Sequence, residues 1–196
     1  MEEPEERTYA VVDQEILDFL GEEMTTVYNS SGQHTFDGTN NNIIDTGVQL
    51  FSSTNYQKSF VVTFTIDEFI KANNANQATL FNAKNEASNL YPGIMMRLSG
   101  NNFELAMKDG TGTVAQVYLP LTTQRVNIIK KGMKMYYQVD LGDIQSLSNT
   151  NDFTNYPVAN TFTVPTTFGC IINSSGNYDR RMKGILSDIK IQMAAN

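Results

Sequence analysis

Tryptophan is absent from this 196-residue chain, and cysteine and histidine occur once each, as Cys170 and His34. One cysteine excludes an internal disulfide. Cys170 lies in the apolar run Phe168-Gly-Cys-Ile-Ile172 with no histidine or acid beside it, so it reads as a core thiol rather than a nucleophile. One histidine excludes histidine-based metal clusters and leaves a Ser-His-Asp triad a single candidate base. His34, between Gln33 and Thr35, reads as a plain strand-entry residue. Charge is also scarce, at 18% of residues, against roughly a quarter in an average domain. Fourteen Lys and Arg against 21 Asp and Glu leave a net charge of −7. Phosphate backbones are held by clustered cations, and the densest basic spots here are the pairs Lys130-Lys131 and Arg180-Arg181. Nucleic acid is therefore not an expected partner.

No apolar run approaches the ~20 residues that span a bilayer, so membrane insertion is not expected. The start, Met-Glu-Glu-Pro-Glu-Glu, is the opposite of a basic signal-peptide start. Export would have to come from a larger parent chain or from phage lysis. The Asn-, Thr-, Ser-, Gln- and Gly-rich remainder suits an extracellular, cell-surface or virion domain.

What is present is strand periodicity. Phe60, Val62, Phe64 and Ile66 alternate with Val61, Thr63 and Thr65; Ile94, Met96 and Leu98 alternate with Met95, Arg97 and Ser99. Phe103, Leu105 and Met107 alternate with Glu104, Ala106 and Lys108. The same period runs through Met133, Met135, Tyr137 and Val139, and again through Ile185, Ile189, Ile191 and Met193. A period of two puts one set of side chains in a core and the other outside. Turn signals such as Asp109-Gly110 and Lys131-Gly132 separate these stretches. About ten short strands joined by hairpins, with longer Asn-rich loops at 67–77 and 141–160, predict an all-β, two-sheet antiparallel sandwich. Before it, Val12, Ile16, Phe19 and Leu20 recur at helical spacing up to Gly21. Residues 1–32 are thus an acidic segment with a short helix over 11–20, either a lid on the sandwich or a connector, and 33–196 are the sandwich.

Three ordered segments carry a resemblance. They are His34-Thr-Phe-Asp-Gly38 with Ile43-Ile-Asp-Thr-Gly47 and Ser59-Phe-Val-Val-Thr-Phe64; Val126-Asn-Ile-Ile-Lys130 with Lys134-Met-Tyr-Tyr-Gln-Val-Asp140; and Thr167-Phe-Gly-Cys-Ile171 with Arg181-Met-Lys-Gly-Ile-Leu-Ser-Asp-Ile-Lys-Ile191. Over about residues 33–193 this set resembles the laminin-G-like, concanavalin A-like jelly-roll domains. The resemblance implies that the last strand pairs beside the first, with Gly184 permitting close approach where the chain re-enters that sheet. It departs from the pattern where Leu186-Ser-Asp188 replaces the usual acidic run and where the tryptophan of many sugar-binding relatives is missing.

The resemblance also implies a function. Sandwich glucanases carry Glu-x-Asp-x-x-Glu on one strand; no such motif occurs here, and Asp67-Glu68 would point to opposite faces. An enzyme is not expected. A non-catalytic module recognising a glycan or a surface protein is, with a structural part of a phage tail or fibre, contacting copies of itself or a larger assembly, as the alternative. Tyrosines in turn contexts, Tyr91, Tyr156 and Tyr178, flanked by amides that include Asn155 and Asn177, offer stacking faces and hydrogen-bonding groups for a sugar. Relatives often hold a structural Ca²⁺, and the matching positions are Asp188 and the carbonyl of Gly38.

Overall fold

A computed structural model of the chain describes residues 6–71, 77–86, 92–109, 114–147 and 164–195. It opens with helix α1, Tyr9–Leu20. Thr8 caps its start by accepting from the Val11 N–H, and Gly21 ends it at φ 67° with its N–H on the Leu17 carbonyl. A left-handed residue at this position satisfies a terminal carbonyl without a Cβ clash. The helix starts two residues before the apolar spacing suggests, because the cap and not the periodicity decides the first turn.

Fourteen strands follow among the described residues: β1 Met24–Asp37, β2 Ile44–Asp45, β3 Phe60–Phe69, β4 Thr79–Asn82, β5 Gly93–Ser99, β6 Asn102–Lys108 and β7 Val114–Pro120, then β8 Arg125–Lys131, β9 Lys134–Val139, β10 Gln145–Ser146, β11 Thr167–Phe168, β12 Ile171–Ile172, β13 Tyr178–Asp179 and β14 Lys183–Ala194. Two six-stranded sheets form, in orders β1-β14-β3-β8-β9-β10 and β2-β11-β4-β5-β6-β7, plus the small pair β12-β13. The described pairings are antiparallel. The all-β two-sheet sandwich read from the periodicity is the observed fold. The count rises above ten because β2, β10, β11, β12 and β13 are two residues each, too short to show a period.

The first strand lies beside the last, Phe36 opposite Gly184 and Asp37 opposite Lys183. Its pairing begins at Met24 opposite Ala194, upstream of the change in period at 33, because exposed polar positions fill most of this edge strand. Gly184 has φ 143°, and a Cβ there would lie 2.2 Å from the Glu68 carbonyl oxygen. Only glycine lets β14 run this close to β3.

The core sits between the sheets. Phe64 of the first sheet packs edge-on against Phe168 of the second at 5.6 Å, and Phe81 lies 5.5 Å from Phe168. Phe60, Val62, Phe64, Ile94, Met96, Phe103, Leu105, Met135, Ile189 and Ile191 are all buried, and Tyr137 packs half-buried against them. Each such side chain contributes roughly 1.5–3 kcal/mol by leaving water.

Helix α1 covers the outer face of the first sheet. Val12, Ile16 and Leu20 form a second apolar cluster with Val61 of β3 and Ile129 of β8. Polar contacts fasten it: Arg125 donates to both Asp13 carboxylate oxygens at 2.9 and 2.8 Å, and Lys131 Nζ donates to the Phe19 carbonyl at 2.6 Å. These contacts hold the helix against the sheet.

Candidate functional site

The sequence-derived candidates scatter. Tyr91, Tyr156 and Asn155 lie outside the described residues. Tyr178 is on β13, its hydroxyl 3.3 Å from Asp45 Oδ2, and burial with the Asp45 charge raises its pKa. Asn177 is exposed in the preceding turn, where its N–H donates to Asn173 Oδ1. The proposed metal pair does not converge. Gly38 follows Asp37, which faces Lys183, whereas Asp188 lies five residues further along β14 in a bulge at φ 51°. At ~3.3 Å per strand residue the two are roughly 16 Å apart, too far to share one ion. The Gly38 carbonyl instead accepts from Arg181 Nε at 3.0 Å. No group of three or more His, Cys, Asp or Glu side chains suited to a metal occurs among the described residues.

A different site emerges on the outer face of the second sheet. In the β5–β6–β7 meander, Met95 faces Ala106, which faces Gln116; one row along, Arg97 faces Glu104, which faces Tyr118. All point away from the core. Met95 and Ala106 form a small apolar cluster with Ile171 of β12. Around this floor is a cleft of about 410 Å³ whose charged lining is Lys84, Glu86, Arg97, Glu104, Lys108 and Arg180.

Local sequence explains how distant residues reach it. Gly93 faces Lys108 across the ladder, and a Cβ on Gly93 would lie 2.6 Å from Lys84 Cα and 2.7 Å from the Ala83 carbonyl oxygen. Glycine therefore brings the backbone of Lys84 against the end of β5, next to Lys108. The Asn82 side chain braces that turn, accepting from the Lys84 N–H and donating to the Lys84 carbonyl. Arg180 is brought in from the other side: its carbonyl accepts from the Thr79 N–H at the start of β4, and its own N–H donates to Asp179 Oδ1 at 2.7 Å.

The electrostatics are distinctive. Lys84 Nζ meets Glu86 at 2.7 Å and Arg97 Nε meets Glu104 at 2.7 Å, while Arg180 stands 3.8 Å from Glu86. Four cations against two carboxylates leave two positive charges in excess, on a chain whose net charge is −7. Burial, then the neighbouring Lys84 charge, lowers the pKa of Lys108. A bound anion would relieve that crowding. This geometry suits an anionic ligand with an apolar face.

A larger, more open cleft of about 900 Å³ borders β1, lined by residues such as Thr25, Val27, Gln49, Ser52 and Lys58. It has one cation and no opposing charge, so size alone recommends it. Charge and an apolar floor favour the smaller site.

The sequence held part of this signal. Met95, Arg97, Glu104, Ala106 and Lys108 were legible as outward residues, but Lys84, Glu86 and Arg180 carry no periodic signature. The Arg180-Arg181 pair is too short a basic run to signal a polyanion site, and nothing in its sequence context places it beside Glu86.

No family model matches this chain, and no curated protein does. Solved structures do match it. A carbohydrate-binding module (CBM40) of Ruminococcus gnavus IT-sialidase, bound to α2,3-sialyllactose, has TM-score 0.53 and 13% identity over 88% of this chain and 93% of that one. The binding domain of botulinum neurotoxin serotype G also has TM-score 0.53 and 13% identity, over 86% of this chain but 41% of that chain. Mouse laminin α1 domains LG4-5 have TM-score 0.52 and 11% identity over 86% and 44%. These likenesses give the fold. The chain has the fold of the concanavalin A-like, laminin-G-like jelly-roll sandwiches, as its ordered segments imply.

Proposed function

We propose that this chain is a non-catalytic recognition module that binds an acidic glycan in the cleft on the β5–β6–β7 face. One observation carries the reading. Lys84, Arg97, Lys108 and Arg180 surround an apolar floor of Met95 and Ala106 on an otherwise acidic protein. A sugar acid offers a carboxylate for the cations, hydroxyls for Glu86, Glu104 and Gln116, and C–H faces for the floor. The fold match to a module bound to sialyllactose supports the same class of ligand. Both cleft carboxylates are engaged by cations, and the sole histidine is on β1 of the other sheet. Among the described residues, that leaves no free carboxylate–histidine pair at the cleft.

A role as part of a surface or virion protein, outside the cell, fits this reading. The alternative, a purely structural assembly domain, would be expected to expose a contiguous apolar patch. The exposed large hydrophobics among the described residues are Val11, Val27, Ile70, Tyr118 and Leu141, each on a different segment.

Titration calorimetry with sialyllactose and with lactose tests the proposal. Binding of the acidic sugar only, weakening with salt, and lost at least about tenfold in both Lys84→Ala and Arg180→Ala, is expected; a lost charge-assisted hydrogen bond is worth roughly 1.5–3 kcal/mol. Equal binding of both sugars, or of neither, would reject it.

A further inference from the structure

Tyr118 is the most exposed of the large apolar and aromatic side chains among the described residues, at 52%, and the only aromatic in that exposed set. It sits on β7, the outermost strand of its sheet, directly opposite Glu104, and Glu104 in turn faces Arg97. Gln116, which lines the cleft, donates from Nε2 to the Tyr118 hydroxyl at 3.0 Å. The ring is thus tethered from the cleft side and left open to water on the other.

Strands in a sheet are about 4.8 Å apart, so Tyr118 stands roughly 10 Å from Arg97, two strands away. That is about the length of a disaccharide. Beyond Arg97 the row continues to Thr79, whose N–H is held by the Arg180 carbonyl, while Lys84 and Lys108 lie at the Gly93 row, four residues along the strands. The row ends at Tyr118 without a formal charge of its own. We infer that the cleft takes an oligosaccharide, with the carboxylate of the acidic unit at the Arg97 end of this row and the adjoining uncharged pyranose stacked on Tyr118. The inference rests on the acidic-glycan reading and adds a second sugar subsite to it. An aromatic ring presents a negative face to the C–H edge of a pyranose, and Tyr loses little side-chain entropy in doing so.

The test compares free N-acetylneuraminic acid with sialyllactose on the whole chain and on Tyr118→Ala and Tyr118→Phe, with thermal melts confirming that both variants fold. The whole chain should bind the trisaccharide more tightly than the monosaccharide, by roughly two- to tenfold for one aromatic contact. Tyr118→Ala should abolish that difference while leaving monosaccharide binding in place, and Tyr118→Phe should keep it. Equal affinity for the two ligands in the unaltered chain, or a preference that survives Tyr118→Ala, overturns the subsite and leaves the acidic-glycan reading standing. Failure of the unaltered chain to bind either ligand overturns both.

Discussion

Across the β5–β6 ladder, Arg97 Nε donates to Glu104 Oε2 at 2.7 Å, with the arginine side chain 26% exposed and the glutamate only 5%. The pair is asymmetric: the carboxylate is committed to the sheet, and the guanidinium is partly open to the cleft. A buried carboxylate needs its cation, so removing either partner strands the other.

Arg97→Ala should therefore cost stability as well as binding, roughly 1–3 kcal/mol for a charged group left without its partner. Adding Glu104→Gln should restore most of the stability and none of the ligand affinity. Chemical denaturation of the single and double variants checks the first point and calorimetry the second.

Gly184→Ala should destabilise the fold by about 2 kcal/mol or more, because the new Cβ meets the Glu68 backbone at 2.2 Å and the φ of 143° is itself unfavourable. Gly176→Ala supplies the contrast. It also has positive φ but nothing within 4 Å, so about 1 kcal/mol is expected from strain alone. Similar losses in the two variants would show that close packing of β14 on β3 is not what selects glycine.

Lys130 is fully buried, its Nζ donating to the Lys58 and Gly132 carbonyls at 2.9 and 2.6 Å, and burial lowers its pKa to about 8 from 10.5. Between these values the unfolded chain holds the extra proton, so this group raises stability as pH climbs from about 8 towards 10.5, by up to about 2–3 kcal/mol. Cys170 acts in the opposite sense. Burial pushes its thiol up to about 11 from 9.0, so the unfolded state ionises first and stability falls from about pH 9. Denaturant unfolding at pH 7.5 and 8.8 should show a rise that Lys130→Met removes. A rise of the same size in the variant would assign it to other groups.

Ile16→Ala should cost about 2–4 kcal/mol, as for other large buried aliphatics, and Ile16→Val about 1 kcal/mol. Ile16 is only 2% exposed and packs with Val61 and Ile129 under the helix. A loss well below 1 kcal/mol for the alanine variant would mean that the helix is only loosely held on the sheet.

Local repetition made the sandwich legible. Each of β3, β5, β6, β9 and β14 announces itself by a side-chain period of two, but burial departs from it in two: register shifts in β14 leave Leu186 buried and Ile185 half-buried, and in β9 Gln138 is buried while Tyr137 and Val139 are half-buried. The neighbourhood of first and last strands was legible too, through the segments from His34 to Phe64 and from Arg181 to Ile191. Five two-residue strands were not, since their pairing is decided by partners already in place.

The site divides along the same line. Which residues of β5 and β6 face outward is readable in the sequence, because alternation is a property of the strand alone. That Lys84 and Arg180 join them follows from packing between distant segments. Lys84 arrives because Gly93 leaves room for its backbone, and Arg180 because its carbonyl is held by the Thr79 N–H. Neither contact has a period, and both depend on close packing between segments far apart in the chain. Asp188 shows the converse. The resemblance implies Gly38 as its partner, but pairing register runs residue by residue along β14 and sets the two apart.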